Sequence, residues 1–140
     1  MLQPRRTKHC KACDMCVRTF DHHCFWIGGC VGEFNHPHFF LLMAAGTAVL
    51  VWHCYLLTSC AGGNSSDPVI RLMWKSLVAL VFLILFGFLV MHGGLLLYHA
   101  YLILTAQTTW EHFSRDSIDY LEGVPRTVFP FSQGTLGNIV

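Results

Sequence analysis

No Asp, Glu, Lys or Arg occurs between Phe34 and Ser66, and none again between Ser76 and Trp110. Each run exceeds the ~20 residues that carry an α-helix across a hydrocarbon core of about 30 Å. Two such stretches dominate a chain of 140 residues that is 54% hydrophobic, where about 45–50% is usual for a soluble domain. The remaining chain is too short to wrap two fully buried helices. The expected fold is therefore a mainly α membrane protein with two transmembrane helices and a small, hairpin-rich polar head. Its expected parts are a Cys/His-rich head over 1–38, spans over 39–58 and 77–105, a loop over 59–76 and a tail over 106–140.

Five of the nine Lys and Arg residues lie in the head, at Arg5, Arg6, Lys8, Lys11 and Arg18. By the positive-inside rule this places the head in the cytosol and the loop on the lumenal or extracellular side. That loop carries Asn64-Ser65-Ser66, an N-x-S acceptor pattern read as unused because it lies close to the membrane. Pro4-Arg5-Arg6 follow Met1 closely, so no apolar signal core is expected ahead of the head. A net charge of +1 without a basic stripe excludes nucleic acid as a partner. Gly87, Gly93 and Gly94 are the positions expected to let helices approach closely in the bilayer, and His36-Pro37-His38 reads as an interfacial turn.

Five of the seven cysteines fall between Cys10 and Cys30, interleaved with His9, His22 and His23. Histidines mixed into C-x-x-C spacing favour a metal site kept reduced over a disulfide knot. The pattern is C-x2-C-x2-C-x4-D-H-H-C-x5-C. Thiolate and imidazole donors in sets of four suit tetrahedral zinc, and a head this small needs metal to fold. Eight candidate donors (His9, Cys10, Cys13, Cys16, His22, His23, Cys24 and Cys30) suffice for two complete sites. In an extended hairpin, however, side chains alternate. His22 and Cys24 then share one face while His23 points to the other, which leaves a base beside a thiol.

The span from Pro4 to Phe39 resembles the cysteine-rich domain of the DHHC protein S-acyltransferases. The matching residues are P-x-R-x2-H-C-x2-C-x2-C-x4-DHHC-x-W, then Cys30-Val31-Gly32, Asn35 and Phe39. The family's second motif, T-T-x-E, follows the second span as Thr108-Thr109-Trp110-Glu111. The resemblance implies that Cys10, Cys13, His23 and Cys30 bind one structural zinc, with His9 and Cys16 supplying half of a second site. The other two cysteines of that site, and two further spans, are expected upstream of Met1, so the chain reads as a fragment. It further implies that Cys24 stays free as nucleophile, with His22 as base and Asp21 fixing its tautomer. Thr108, Thr109 and Glu111 would pack against the active-site hairpin, and Asn138 matches a family asparagine in the tail. Phe25 stands where the family usually has proline, and Gly29 where it usually has asparagine.

The function this implies is transfer of a palmitoyl or similar acyl group from acyl-CoA to cysteines of membrane-proximal proteins, through a Cys24 thioester. The implied location is the bilayer of the Golgi or endoplasmic reticulum, with a cytosolic head. The alternative is a non-catalytic zinc module on a membrane anchor, acting as a scaffold or partner subunit. His53, His92 and His99 lie within the apolar runs. They read as polar residues facing the bundle interior, because no complete ligand set surrounds them. Cys54 and Cys60 are open to either packing or acylation.

Overall fold

A computed structural model describes residues 4–60, 62 and 65–138. Asn64, the residue of the acceptor pattern, lies outside the described residues, as does the side chain of Cys60. The chain divides into two compact units, Met1–Phe40 together with Tyr98–Val140, and Leu41–Leu97. Two long helices, α1 (His36–Cys60) and α2 (Pro68–Leu104), cross the boundary between them in sequence.

The first unit holds two β-hairpins. Strand β1 (Lys8–Cys10) pairs antiparallel with β2 (Met15–Val17), bringing His9 opposite Cys16. Strand β3 (His22–Cys24) pairs with β4 (Gly29–Val31), bringing His23 opposite Cys30 and Cys24 opposite Gly29. Three-residue strands are marginal alone, and the core behind them is small: Phe20, Val31, Phe39, Leu102, Ile118 and Leu121. Gly28 adopts φ 63° in the β3–β4 turn, a left-handed conformation that glycine reaches at no steric cost. Gly32 serves a different need. A Cβ there would lie 2.7 Å from Val17 Cγ1 and 2.8 Å from the Arg18 carbonyl oxygen, so the second hairpin packs on the first only with hydrogen at this position.

Asn35 ties the hairpin to α1, accepting from the Gly32 N–H at 2.8 Å and donating to the Cys30 carbonyl at 2.9 Å. His36-Pro37-His38 is helical and forms the first turn of α1. Proline fits there because the first helical N–H groups have no intrahelical acceptor to lose. The tail forms a short helix, α3 (Thr109–Ser114), followed by two single 3₁₀ turns.

In the second unit the helical surface is overwhelmingly apolar and open, with Leu41, Leu72, Leu83 and Leu97 each more than 60% exposed. In the most apolar window of each long helix, 11% and 0% of residues are buried. A core helix of a soluble protein would be mostly covered. These two present their apolar side chains outward, as a lipid solvent requires. Asp67 starts α2 by accepting from the Val69 N–H at 2.8 Å, so the helix carries Arg71 and Lys75 ahead of its charge-free run. The close helix approach lies at Gly46, where an added Cβ would sit 2.7 Å from His92 Cε1. Gly87, Gly93 and Gly94 instead meet open space, because their faces of α2 carry no partner within the described residues. His92 also reaches Thr47 Oγ1 at 3.4 Å, and His53 donates to the Val49 carbonyl at 2.8 Å along its own helix.

Gly32→Ala should lower the melting temperature of the detergent-solubilised chain. Forcing one methyl into this contact costs about 1–3 kcal/mol. An unchanged melt would show that the two hairpins do not need this contact.

Candidate active site and metal centre

The hairpin register sets the metal-competent cluster. Cys10 ends β1, Cys13 lies in the turn after it, and His23 and Cys30 face each other across β3 and β4. From His23 Nδ1 the sulfurs of Cys13, Cys30 and Cys10 lie at 3.3, 3.6 and 3.7 Å, and Cys30 Sγ is 3.5 Å from Cys13 Sγ. Around a tetrahedral ion with Zn–S of ~2.3 Å and Zn–N of ~2.0 Å, neighbouring donors are separated by about 3.6–3.8 Å. The four residues therefore fit a metal ion. The Cys30 thiol is pushed up to about 12, first by burial and then by Cys10 and Cys13. Three thiols this close resist shared ionisation until a cation neutralises them. His9 Nδ1 lies 3.7 Å from Cys16 Sγ.

Cys24 stands outside that group. The pleat turns it away from His23, and it is only 6% exposed. Burial raises its pKa, but a hydrogen bond from His22 and the backbone N–H groups of Ile27 and Trp26 outweigh burial, and the net shift is downward. For His22, burial disfavours the cation. Hydrogen bonds to Asp21 and Cys24 overcome it, and the pKa rises. Asp21 Oδ2 accepts from His22 Nδ1 at 2.6 Å, which leaves Nε2 as the nitrogen available to the thiol. Asp21 itself is 1% exposed. Burial would raise its pKa, yet His22 and the Thr109 N–H hold it below the usual carboxylate range.

The tail motif completes the Asp21 environment. The Thr109 N–H donates to Asp21 Oδ1 at 2.7 Å, and the Trp110 N–H donates to the Asp21 carbonyl at 3.1 Å. Thr108 and Glu111 form a capping box that fixes the start of α3: the Glu111 N–H donates to Thr108 Oγ1, and Glu111 Oε2 accepts from the Thr108 N–H. Glu111 is also gripped in bidentate fashion by Arg6, with both contacts at 2.7 Å, and accepts from the Tyr120 hydroxyl at 3.0 Å. Arg6 belongs to the P-x-R pattern, but nothing local to that pattern names a partner 105 residues away. Asn138 sits elsewhere, donating to the Leu104 carbonyl at 2.8 Å and to Ser132 Oγ at 2.9 Å. It fastens the tail to the end of α2 and makes no hydrogen bond to Asp21, His22 or Cys24.

Three further residues surround the Asp21–His22 pair. Phe39 packs edge-on against His22 and His99, with ring centroids 5.2 and 5.1 Å apart, and His36 lies 5.7 Å from His99. Asp21, His36 and His99 together form a second set of donor atoms that could hold a metal ion. His99 thus has near it the ligand set that spacing along α2 does not reveal, because its companions come from the head and from α1. Phe25 and Trp26, at the tip of the β3–β4 hairpin, are 85% and 83% exposed.

A profile described as DHHC palmitoyltransferase matches residues 1–116. "Protein S-acyltransferase 10" of Arabidopsis thaliana is 37% identical, over 98% of this chain and 39% of its own length. "Palmitoyltransferase ZDHHC12" of Homo sapiens is 40% identical, over 99% and 51% respectively. "Putative ZDHHC-type palmitoyltransferase 7" of Dictyostelium discoideum is 37% identical, over 97% and 31%. The chain thus spans between 31 and 51% of the length of these relatives.

Cys13→Ser should remove about one tightly bound zinc per chain, measured by metal analysis after dialysis, whereas Cys24→Ser should leave zinc content unchanged. Loss of an ion from Cys24→Ser would place that sulfur among the ligands. Glu111→Ala, which leaves Arg6 without its partner, should destabilise the head by about 3 kcal/mol, read as a fall in the unfolding midpoint. A midpoint equal to wild type would show that the pair does not hold the tail to the head.

Proposed function

We propose, proceeding from the fact that the chain belongs to the DHHC palmitoyltransferase family, that it carries the catalytic unit of a protein S-acyltransferase with Cys24 as nucleophile. One observation carries this reading: Cys24 lies outside the Cys/His cluster and shares a face of β3 with His22, whose Nδ1 is held by the buried Asp21 carboxylate and whose ring draws the Cys24 pKa down. A thiolate beside an imidazolium is a far better nucleophile than a neutral thiol. Asp21 orients the ring and favours its protonated form, as the third member of Asp–His–nucleophile arrangements does.

In the first half-reaction, Cys24 Sγ attacks the thioester carbonyl carbon of a fatty acyl-CoA. A new C–S bond forms, the C–S bond to CoA breaks, and His22 returns its proton to the departing CoA sulfur. In the second, a protein cysteine gives its proton to His22 and attacks the Cys24 thioester. The acyl group moves to the substrate and Cys24 leaves as thiolate. One thioester is exchanged for another at each step, so positioning supplies much of the rate. The acyl tail, at ~0.8 kcal/mol per buried CH2, lies among the apolar helices and lipid. Zinc held by Cys10, Cys13, His23 and Cys30 supplies folding energy to the hairpins and no step of the transfer. His9 and Cys16 hold part of a second zinc site.

In this reading the head over 1–38 and the tail over 106–140 face the cytosol at the Golgi or endoplasmic reticulum membrane. The spans lie over 39–58 and 77–105, and the protein substrates present cysteines near that surface. Thr109 acts on Asp21 as a positioning residue, and Thr108 and Glu111 hold it there.

Incubation with a radiolabelled long-chain acyl-CoA should label the chain in a hydroxylamine-sensitive manner, and Cys24→Ser should abolish the label. Absence of label on both would favour the scaffold alternative. The pH profile gives a second check. Because the Cys24 pKa is lowered and that of His22 raised, the rising limb of self-acylation should lie below the ordinary thiol range near 8.5. Asp21→Asn removes the charge that favours the His22 cation, so that limb should move to higher pH and the neutral-pH rate should fall. An unshifted limb would contradict the role assigned to Asp21.

A further inference from the structure

Asp21, His36 and His99 come from the β3 hairpin, the first turn of α1 and the last third of α2. Their donor atoms all lie within 4.8 Å of one another. Asp21 is 1% and His99 4% exposed. Each of the two rings carries a buried nitrogen without a hydrogen-bond partner, His36 Nε2 and His99 Nδ1. The approach of His36 Nε2 to Asp21 Oδ1, at 3.8 Å, is too long for a hydrogen bond. Buried nitrogens left without partners are costly, and here two of them belong to the rings that make up the cluster with the Asp21 carboxylate. Asp21 Oδ1 already accepts from the Thr109 N–H at 2.7 Å, which fixes its direction and leaves a lone pair free. An edge contact from Phe39 to His99 at 5.1 Å and a tilted contact between His36 and His99 at 5.7 Å hold the rings in place.

We propose that Asp21, His36 and His99 form a divalent transition-metal site, separate in its ligands from the Cys/His cluster, whose filling slows acyl transfer. Two imidazoles and one carboxylate suit borderline ions such as zinc, cobalt and nickel, and not the oxygen-seeking magnesium or calcium. Three protein donors leave a fourth position open to water. Donor separations must close to about 3.3 Å around such an ion, a movement within side-chain reach. His22 is not a ligand, since its Nδ1 is engaged by Asp21 Oδ2. An ion bound by the Asp21 carboxylate pulls it toward His36 and His99 and loosens the 2.6 Å hydrogen bond that Oδ2 accepts from His22 Nδ1, so the ring beside Cys24 loses its fixed orientation. The inhibitory effect rests on the proposed transferase reading; the binding site does not.

The test is a cobalt(II) titration of the full chain in detergent, with zinc already filling the thiolate-rich site. Wild type should take up one added equivalent, giving visible d–d absorption without the thiolate charge-transfer band that cobalt at cysteines would produce. His99→Gln and, as a second variant, His36→Asn should each weaken this uptake at least about tenfold, while zinc content and melting temperature stay near wild type. Failure of wild type to show the nitrogen–oxygen cobalt signal would overturn the site, since a bridging water would then satisfy the two nitrogens. Equal affinity in both variants would overturn it as well. Self-acylation measured along the same titration should fall in step with the cobalt signal, and in His99→Gln should need at least about tenfold more cobalt to fall. Cobalt uptake with undiminished acylation would overturn the inhibition alone. A cobalt signal in a chain that never acylates would count against the transferase reading and leave the site standing.

Discussion

A single buried carboxylate organises the head. Moving an ionised aspartate out of water costs several kcal/mol unless its oxygens are hydrogen-bonded, and both oxygens of Asp21 are. His22 takes one oxygen, the Thr109 N–H takes the other, and the Trp110 N–H takes the backbone carbonyl. The DHHC run and the T-T-x-E run are therefore halves of one device. The first supplies the charge; the second supplies the Thr109 N–H that helps make its burial tolerable and the Trp110 N–H that satisfies the Asp21 carbonyl. Arg6, clamped on Glu111, closes the same circuit from the start of the chain.

The Cys/His cluster answers a different shortage. Two hairpins with three-residue strands bury few apolar side chains, and a fold of that size gains little from its core alone. Donors placed on both hairpins convert metal binding into a crosslink between them. The β pleat that sends His23 into this cluster sends His22 and Cys24 to the other face. Cys24 is thus set apart by the pleat from the adjacent His23, which joins the cluster.

Much of this is visible in local pattern. Charge-free length marks the two apolar helices, C-x-x-C spacing marks the metal donors, and two-residue alternation marks Cys24 as the odd sulfur. What pattern does not carry is pairing between distant segments. The Arg6–Glu111 clamp, and the meeting of His36 and His99 at Asp21, depend on where the end of α2 returns the chain. Close helix contact falls at Gly46 and not at the more conspicuous Gly93-Gly94 pair, because a glycine matters only where a partner side chain faces it. Asn138 likewise matches a motif by position, yet its bonds go to Leu104 and Ser132.

Whether Cys24 is a free nucleophile beside an intact metal centre is most directly decided by native mass spectrometry of the chain after exposure to acyl-CoA. The expected species carries one acyl group, mapped to Cys24, together with the same number of metal ions as the untreated protein. Acylation accompanied by loss of an ion, or a fully metallated chain that accepts no acyl group, would contradict it.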